Sequence, residues 1–131
     1  MAVERSSRGA TEDRTIRLVI PASSEYGRVA RTTAAGLALR LGFSYRAIED
    51  LRLAVDETLI LLLRPDGAAE SVEFDLEPGD GVLVMEAALV PPDHGIDPAG
   101  VRRFERLVKP IVDEWSLDEA HDRIRLVKRG G

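Results

Sequence analysis

The sequence predicts an α+β fold, a two-layer sandwich with helices on one face of a mostly antiparallel sheet. Three observations carry that prediction. Apolar residues recur at helical spacing through residues 24–41 and 44–62. They alternate with charged residues at 72–76 and again at 123–128. The resulting order is strand, helix, helix, strand, strand, helix, strand, which sets strands beside one another instead of interleaving each with a helix.

The chain has 131 residues, 44% of them hydrophobic and 31% charged, enough for one ordinary core and too few for two. Residues 1–14 are rich in Ser, Arg, Glu and Gly without an apolar period, and read as a flexible tail before a single domain at 15–131.

Thr15 to Ile20 is short, β-branched and partly alternating, and Pro21 stops it as a first strand. Ser23 or Ser24 is the expected N-cap of a first helix, about 24 to 41. Its spaced positions are Val29, Thr32 or Thr33, Gly36 or Leu37, and Arg40 or Leu41, with Gly42 as the stop. Ser44 caps a second helix, in which Ile48, Leu51, Val55, Leu59 and Leu62 share one face. Leu53, Ala54, Ile60 and Leu61 surround Glu57 on the other side, and Glu49, Arg52 and Asp56 form a narrow polar strip. Neighbours on two sides are therefore expected, a sheet and another helix.

Arg64-Pro65-Asp66-Gly67 ends that helix, and Val72, Phe74 and Leu76 alternate with Glu73, Asp75 and Glu77. Pro78-Gly79-Asp80-Gly81 then turns the chain into Val82–Val90, which completes an antiparallel hairpin. Residues 91–98 hold three prolines and read as a loop. From Ala99 to about Trp115, the positions Val101, Phe104, Leu107 or Val108, Ile111 and Trp115 recur helically, with Pro110 kinking or splitting the helix. A short strand at Trp115–Leu117 is the alternative for its end. Arg123 to Lys128 alternates as the last strand.

Composition excludes several classes of function. No cysteine is present, so disulfides, thiol nucleophiles and zinc-thiolate sites are absent. The longest apolar run, Thr58–Leu63, falls far short of the ~20 residues of a membrane span. The polar first residues lack the pattern of a secretion signal, which makes the cytoplasm the expected location and a membrane no partner. A net charge of -5 argues against direct nucleic-acid binding, which depends on neutralising phosphates. His94 and His121 form no recognised metal-ligand spacing, so no metal site is expected.

Residues 20–59, IPASSEYGRVARTTAAGLALRLGFSYRAIEDLRLAVDETL, resemble the first half of the anti-sigma-factor serine kinases of RsbW type. Those proteins belong to the GHKL superfamily of gyrase, histidine-kinase and chaperone ATPase domains. The resemblance implies the histidine kinase-like ATPase (Bergerat) fold, here with a shortened lid region. In that family the second helix carries an ExxxN motif, whose glutamate activates a hydroxyl and whose asparagine holds the magnesium of ATP. Glu57 matches the glutamate, but Leu61 stands at the asparagine and offers a hard cation no oxygen. A DxGxG motif follows the hairpin in the family; the corresponding positions are Leu89 for the aspartate and Pro91 for the first glycine. Leucine cannot hydrogen-bond adenine, and proline lacks both the N–H and the freedom of glycine. In place of the glycine-rich lid there are only isolated Gly95 and Gly100.

The resemblance thus implies a bacterial regulator of transcription in a partner-switching system that has lost ATP use, a pseudokinase with no cofactor. The expected partners are a sigma factor or a STAS-type antagonist, and the expected assembly is a homodimer. Glu25 and Arg28, which sit where the family holds sigma factors, are the candidate partner contacts, unless they simply pair across one turn. Glu57 is left either as a relic base in apolar surroundings or as an ordinary carboxylate paired with an arginine. The apolar residues about it are expected to fill the former pocket. Arg102, Arg103, Arg106 and Lys109 give the last helix a basic side, a solvated face or a dock for an acidic partner.

Two alternatives accompany this reading. One is an active serine/threonine kinase for a STAS-domain antagonist, using ATP and magnesium with Asp93 or Asp97 as substitute ligands. The other is a structural subunit that pairs with a complete kinase.

Overall fold

The computed structural model describes residues 14–130; the predicted tail lies, but for Arg14, outside the described residues. β1 (Ile16–Pro21) leads through a 3-10 turn at Ser24–Tyr26 into α1 (Gly27–Arg40) and α2 (Tyr45–Leu62). The hairpin β2 (Ser71–Pro78) and β3 (Val82–Val90) follows, then α3 (Pro98–Val108), β4 (Glu114–Asp118) and β5 (Arg123–Arg129). The five strands lie in the order β1-β2-β3-β5-β4, and every neighbouring pair is antiparallel. This is the predicted α+β two-layer sandwich, with the antiparallel pattern complete rather than partial.

Pairing register explains the two faces. Leu18, Phe74, Ala87, Ile124 and Leu117 form one row across the sheet and pack into the core with the buried residues of the helices. The adjacent row, Arg17, Asp75, Glu86, Arg125 and Ser116, points the other way and is laced by ion pairs such as Arg17 Nε to Asp75 Oδ1 at 2.9 Å. Phe74, Phe104 and Leu51 are buried to 1% exposure, each contributing roughly 1.5–3 kcal/mol of apolar burial.

Ser44 caps α2 as expected, its hydroxyl accepting from Ala47 N at 3.1 Å. Neither serine caps α1. The 3-10 turn intervenes, Ser23 makes no side-chain cap bond, and the N-cap position falls to Tyr26. The buried face of α1 also differs from the predicted one: Gly27, Ala30, Ala34 and Ala38 are buried, while Val29 and Leu39 are exposed. Small residues let the backbones of α1 and its neighbours approach, so that packing distance overrides side-chain hydrophobicity. Leu53 and Ile60 of α2 likewise face outward.

The last helix ends at Val108, because Pro110 cannot donate the bond that would continue it; a 3-10 turn at Lys109–Ile111 follows. Trp115 belongs to β4, as in the alternative reading, and its ring packs edge-on against Phe104 at 5.3 Å. Among the described residues no helix is long and apolar enough to cross a membrane.

Candidate functional site

Helical geometry turns successive residues of α2 by about 100°, so neighbours in sequence serve different flanks. Glu57 and Leu61 look toward α3 and the loop before it, whereas Asp56 and Leu59 border α1; beyond the helix end, Leu63 lies on the α1 side and Arg64 borders both clefts.

On the α3 flank, Arg103 donates from Nε to Glu57 Oε1 and from Nη2 to Oε2, both at 3.2 Å. The Glu57 side chain is 7% exposed and that of Arg103 49%, so a nearly enclosed carboxylate is held bidentate by a half-exposed cation. Of the two readings open for Glu57, the geometry is that of the arginine pair. Leu61 is buried beside it, and α3 lies so close that a Cβ on Gly100 would stand 3.3 Å from Leu61 Cδ1. Side chains do not fill the region entirely. A cleft of about 190 Å³ remains, bordered by Glu57, Leu61, Arg64, Asp97, Gly100 and Arg103. Ligand sites usually enclose ~300–1,000 Å³.

Leu89 is buried within β3 and pairs with Val72, so its side chain belongs to the core. Pro91 is exposed at the start of a strap, residues 91–97, that crosses to α3. Asp122 fixes the strap. Fully buried in the β4–β5 turn, it accepts from Asp93 N at 2.7 Å and His94 N at 2.8 Å through Oδ2. Asp93 in turn receives Arg64 Nη2 at 3.0 Å, and the Arg64 guanidinium lies on Gly95, where any Cβ would collide with it. Two buried atoms of this cluster, Arg64 Nη1 and Asp122 Oδ1, have no hydrogen-bond partner. Asp97 caps α3 by accepting from Ala99 N at 3.0 Å.

Sequence reasoning did not single out Asp122 or Arg64. Asp122 is one acid among four charged or polar neighbours in a turn, and nothing in its spacing points 29 residues back to Asp93. Of the histidines, His94 lies on the strap at φ 56° with its backbone N–H on Asp122, and the ring of His121 sits with Nδ1 2.8 Å from Asp118 Oδ2.

On the α1 flank, Arg31 Nη1 reaches Asp56 Oδ1 at 2.6 Å beside a cleft of about 550 Å³. Glu25 and Arg28, both exposed, follow Ser24 and Gly27 in sequence but are not among the residues that border the cleft. They do not pair, and among the described residues neither has an ion-pair partner.

Fold and site together define a two-layer sandwich consistent with the histidine kinase-like ATPase arrangement, with a glutamate on its central helix. No protein-family model matches the chain. It is similar to proteins named serine-protein kinase RsbW: 52% identical over 44 residues to that of Oceanobacillus iheyensis, covering 34% of this chain and 28% of the relative. The Listeria monocytogenes protein is 48% identical over 50 residues, 38% of this chain and 32% of the relative. The Bacillus licheniformis protein is 28% identical over 104 residues, 79% of this chain and 64% of the relative. The matched stretches therefore span about a third of the first relatives' length, and under two thirds of the last.

Proposed function

We propose that this chain regulates transcription by binding protein in the manner of an anti-sigma factor, holding a sigma factor or a STAS-type antagonist by surface contact without binding or hydrolysing ATP. Similarity to RsbW proteins, whose family resemblance implies sigma-factor regulation, supports the regulatory class. The observation that carries the second half is the engagement of Glu57 by Arg103 beside Leu61. A carboxylate whose two oxygens are both engaged by one guanidinium is not free to take up a substrate hydroxyl, and an alkyl chain cannot ligate magnesium. The residues present do not fit Mg-ATP, and the remaining cleft is smaller than a nucleotide site. Binding then relies on exposed groups such as Glu25 and Arg28, whose opposite charges orient a partner.

Calorimetric titration of the full chain with Mg-ATP tests this, and no heat of binding is expected. A micromolar Kd, or phosphate transferred to a STAS protein, would overturn it. The relatives' names favour a second reading, an active serine kinase. That reading needs Asp93 or Asp97 to replace the missing ligand, although Arg64 holds the first and the second caps α3. It predicts an activity that Glu57→Ala abolishes without unfolding the protein.

A further inference from the structure

With Arg103 taken up by Glu57, the basic side of α3 is left to Arg102, Arg106 and Lys109. At about 100° per residue they stand at i, i+4 and i+7, in one narrow stripe opposite the buried Phe104 and Val108. All three are exposed, and none has a side-chain partner among the described residues. The stripe runs about 10 Å along the helix.

Other cations of the chain are neutralised in place. Glu86 takes both Arg123 and Arg125, and Arg17 meets Glu73 and Asp75. Acids for this purpose are plentiful, 23 against 18 basic residues. The unpaired arginines of α1, Arg28 and Arg40, stand at opposite ends of that helix and form no stripe. The helix dipole accounts for part of the α3 stripe, because a positive charge is favoured at Arg106 and Lys109 near the C-terminus. It does not account for Arg102. In the second turn the dipole offers nothing, and Arg106 four residues on repels it. That repulsion stabilises nothing within the chain; it is relieved by a partner of opposite charge.

The surroundings limit what that partner is. Asp97 caps one end of α3, Asp113 and Glu114 follow the other, and Glu105 stands on one flank. A nucleic acid carries a negative charge every ~1.7 Å of duplex axis, and would run past the stripe onto these acids. A protein segment can confine its charge. Same-side residues of an extended strand, or residues i and i+4 of a helix, lie roughly 6–7 Å apart along the chain, which matches the rise from Arg102 to Arg106. Each guanidinium offers a carboxylate two parallel N–H donors.

We infer that the outer face of α3 docks a short acidic segment of a partner protein. Its carboxylates lie on the forks of Arg102 and Arg106 and against the Lys109 ammonium. The inference is independent of the reading above, because the stripe lies on α3 instead of α1 and stands whether or not the chain takes ATP.

Fluorescence anisotropy of fluorescein-labelled hexaglutamate with the full chain tests it. A Kd under about 1 mM is expected at about 30 mM salt, weakening about fivefold at about 300 mM. Arg102→Glu with Arg106→Glu should weaken binding about tenfold or more, and Arg102→Gln with Arg106→Gln about threefold. Arg40→Glu with Arg46→Glu makes the same change of net charge at exposed sites on α1 and α2, and should alter binding less than about twofold. The glutamine pair places no acid near the helix C-terminus. If circular dichroism shows the glutamate variant unfolded, the glutamine variant decides. No binding at the lower salt, or equal losses in the two glutamate variants, overturns the inference. So does an oligothymidylate of equal charge that binds more tightly and responds to the same variants, which would assign the stripe to nucleic acid.

Discussion

Asp56 and Glu57 are consecutive carboxylates on one helix, and each meets an arginine from a different neighbour. Asp56 keeps a 40% exposed side chain and a single short contact with Arg31 of α1, beside an open groove. Glu57 is nearly enclosed, held by both nitrogens of the Arg103 fork, and the adjoining strap is fastened by a fully buried aspartate. Similar chemistry thus has two uses. On the enclosed flank, ion pairs replace solvent and hold α2, α3 and the strap together; on the open flank, water supports the pair and the surface stays available. Desolvation decides which carboxylate the fold depends on.

The comparison breaks most visibly at Asp122. Asp122→Ala removes the acceptor of two backbone N–H groups and places alanine at φ 47°, a conformation that Asp and Asn tolerate better. Lost hydrogen bonds and backbone strain together should cost about 3 kcal/mol in urea unfolding, with faster amide exchange at Asp93 and His94. Asp122→Asn keeps an oxygen and the backbone preference, and should cost about 1 kcal/mol. A loss under half a kcal/mol for the alanine variant would mean that the strap is not held from this turn.

The two arginines give the direct contrast. Arg103→Ala leaves Glu57 enclosed without its counter-ion. Because Arg103 is itself half exposed, the expected loss is about 2 kcal/mol rather than the 3–5 of a fully enclosed pair. Arg31→Ala, at a pair that water already screens, should cost about 0.5 kcal/mol. Replacing Glu57 by Leu and Arg103 by Met together should recover most of the larger loss, since an apolar pair leaves no stranded charge. Equal losses for the two single variants would dissolve the distinction between the flanks.

What the sequence revealed follows the same division. The hairpin was legible because alternation at Val72, Phe74 and Leu76 and the turn at Pro78–Gly81 are local signals, and the structure pairs those strands as expected. Ser44 was legible for the same reason, while Ser23 and Ser24 misled because a 3-10 turn shifted the start of α1 by three residues. The burial of Ala30, Ala34 and Ala38 in place of Val29 depends on how close α1 comes to its neighbours, which no periodicity encodes. At the candidate site, periodicity placed Glu57 and Leu61 on one helix, and the resemblance to the RsbW-type motif singled them out. That an arginine would pair with Glu57 was one of two open readings, but its identity as Arg103, 46 residues on, belongs to tertiary structure. So does the bond from Asp122 to the strap.

The smallest effect calibrates the others. Asp118 and His121 form a hydrogen-bonded pair that belongs to neither flank, with side chains 50% and 69% exposed, so it shows what such a pair does without burial. The hydrogen bond from His121, at 2.8 Å, holds the Asp118 carboxyl below the ordinary 3.8, outweighing the opposing effect of desolvation. A carboxyl whose pKa is lowered on folding stabilises the folded state at pH above its unfolded value, and that contribution disappears as pH falls through the folded value. His121→Ala should therefore lower stability slightly near pH 6, and the difference from wild type should shrink as pH drops below about 4. Urea unfolding at pH 6, 4 and 3 measures it. A difference that persists unchanged at pH 3 would show that His121 acts through packing in the β4–β5 turn instead of through the carboxylate. The exposed pair would then no longer serve as a zero against which the Arg31 and Arg103 losses are read.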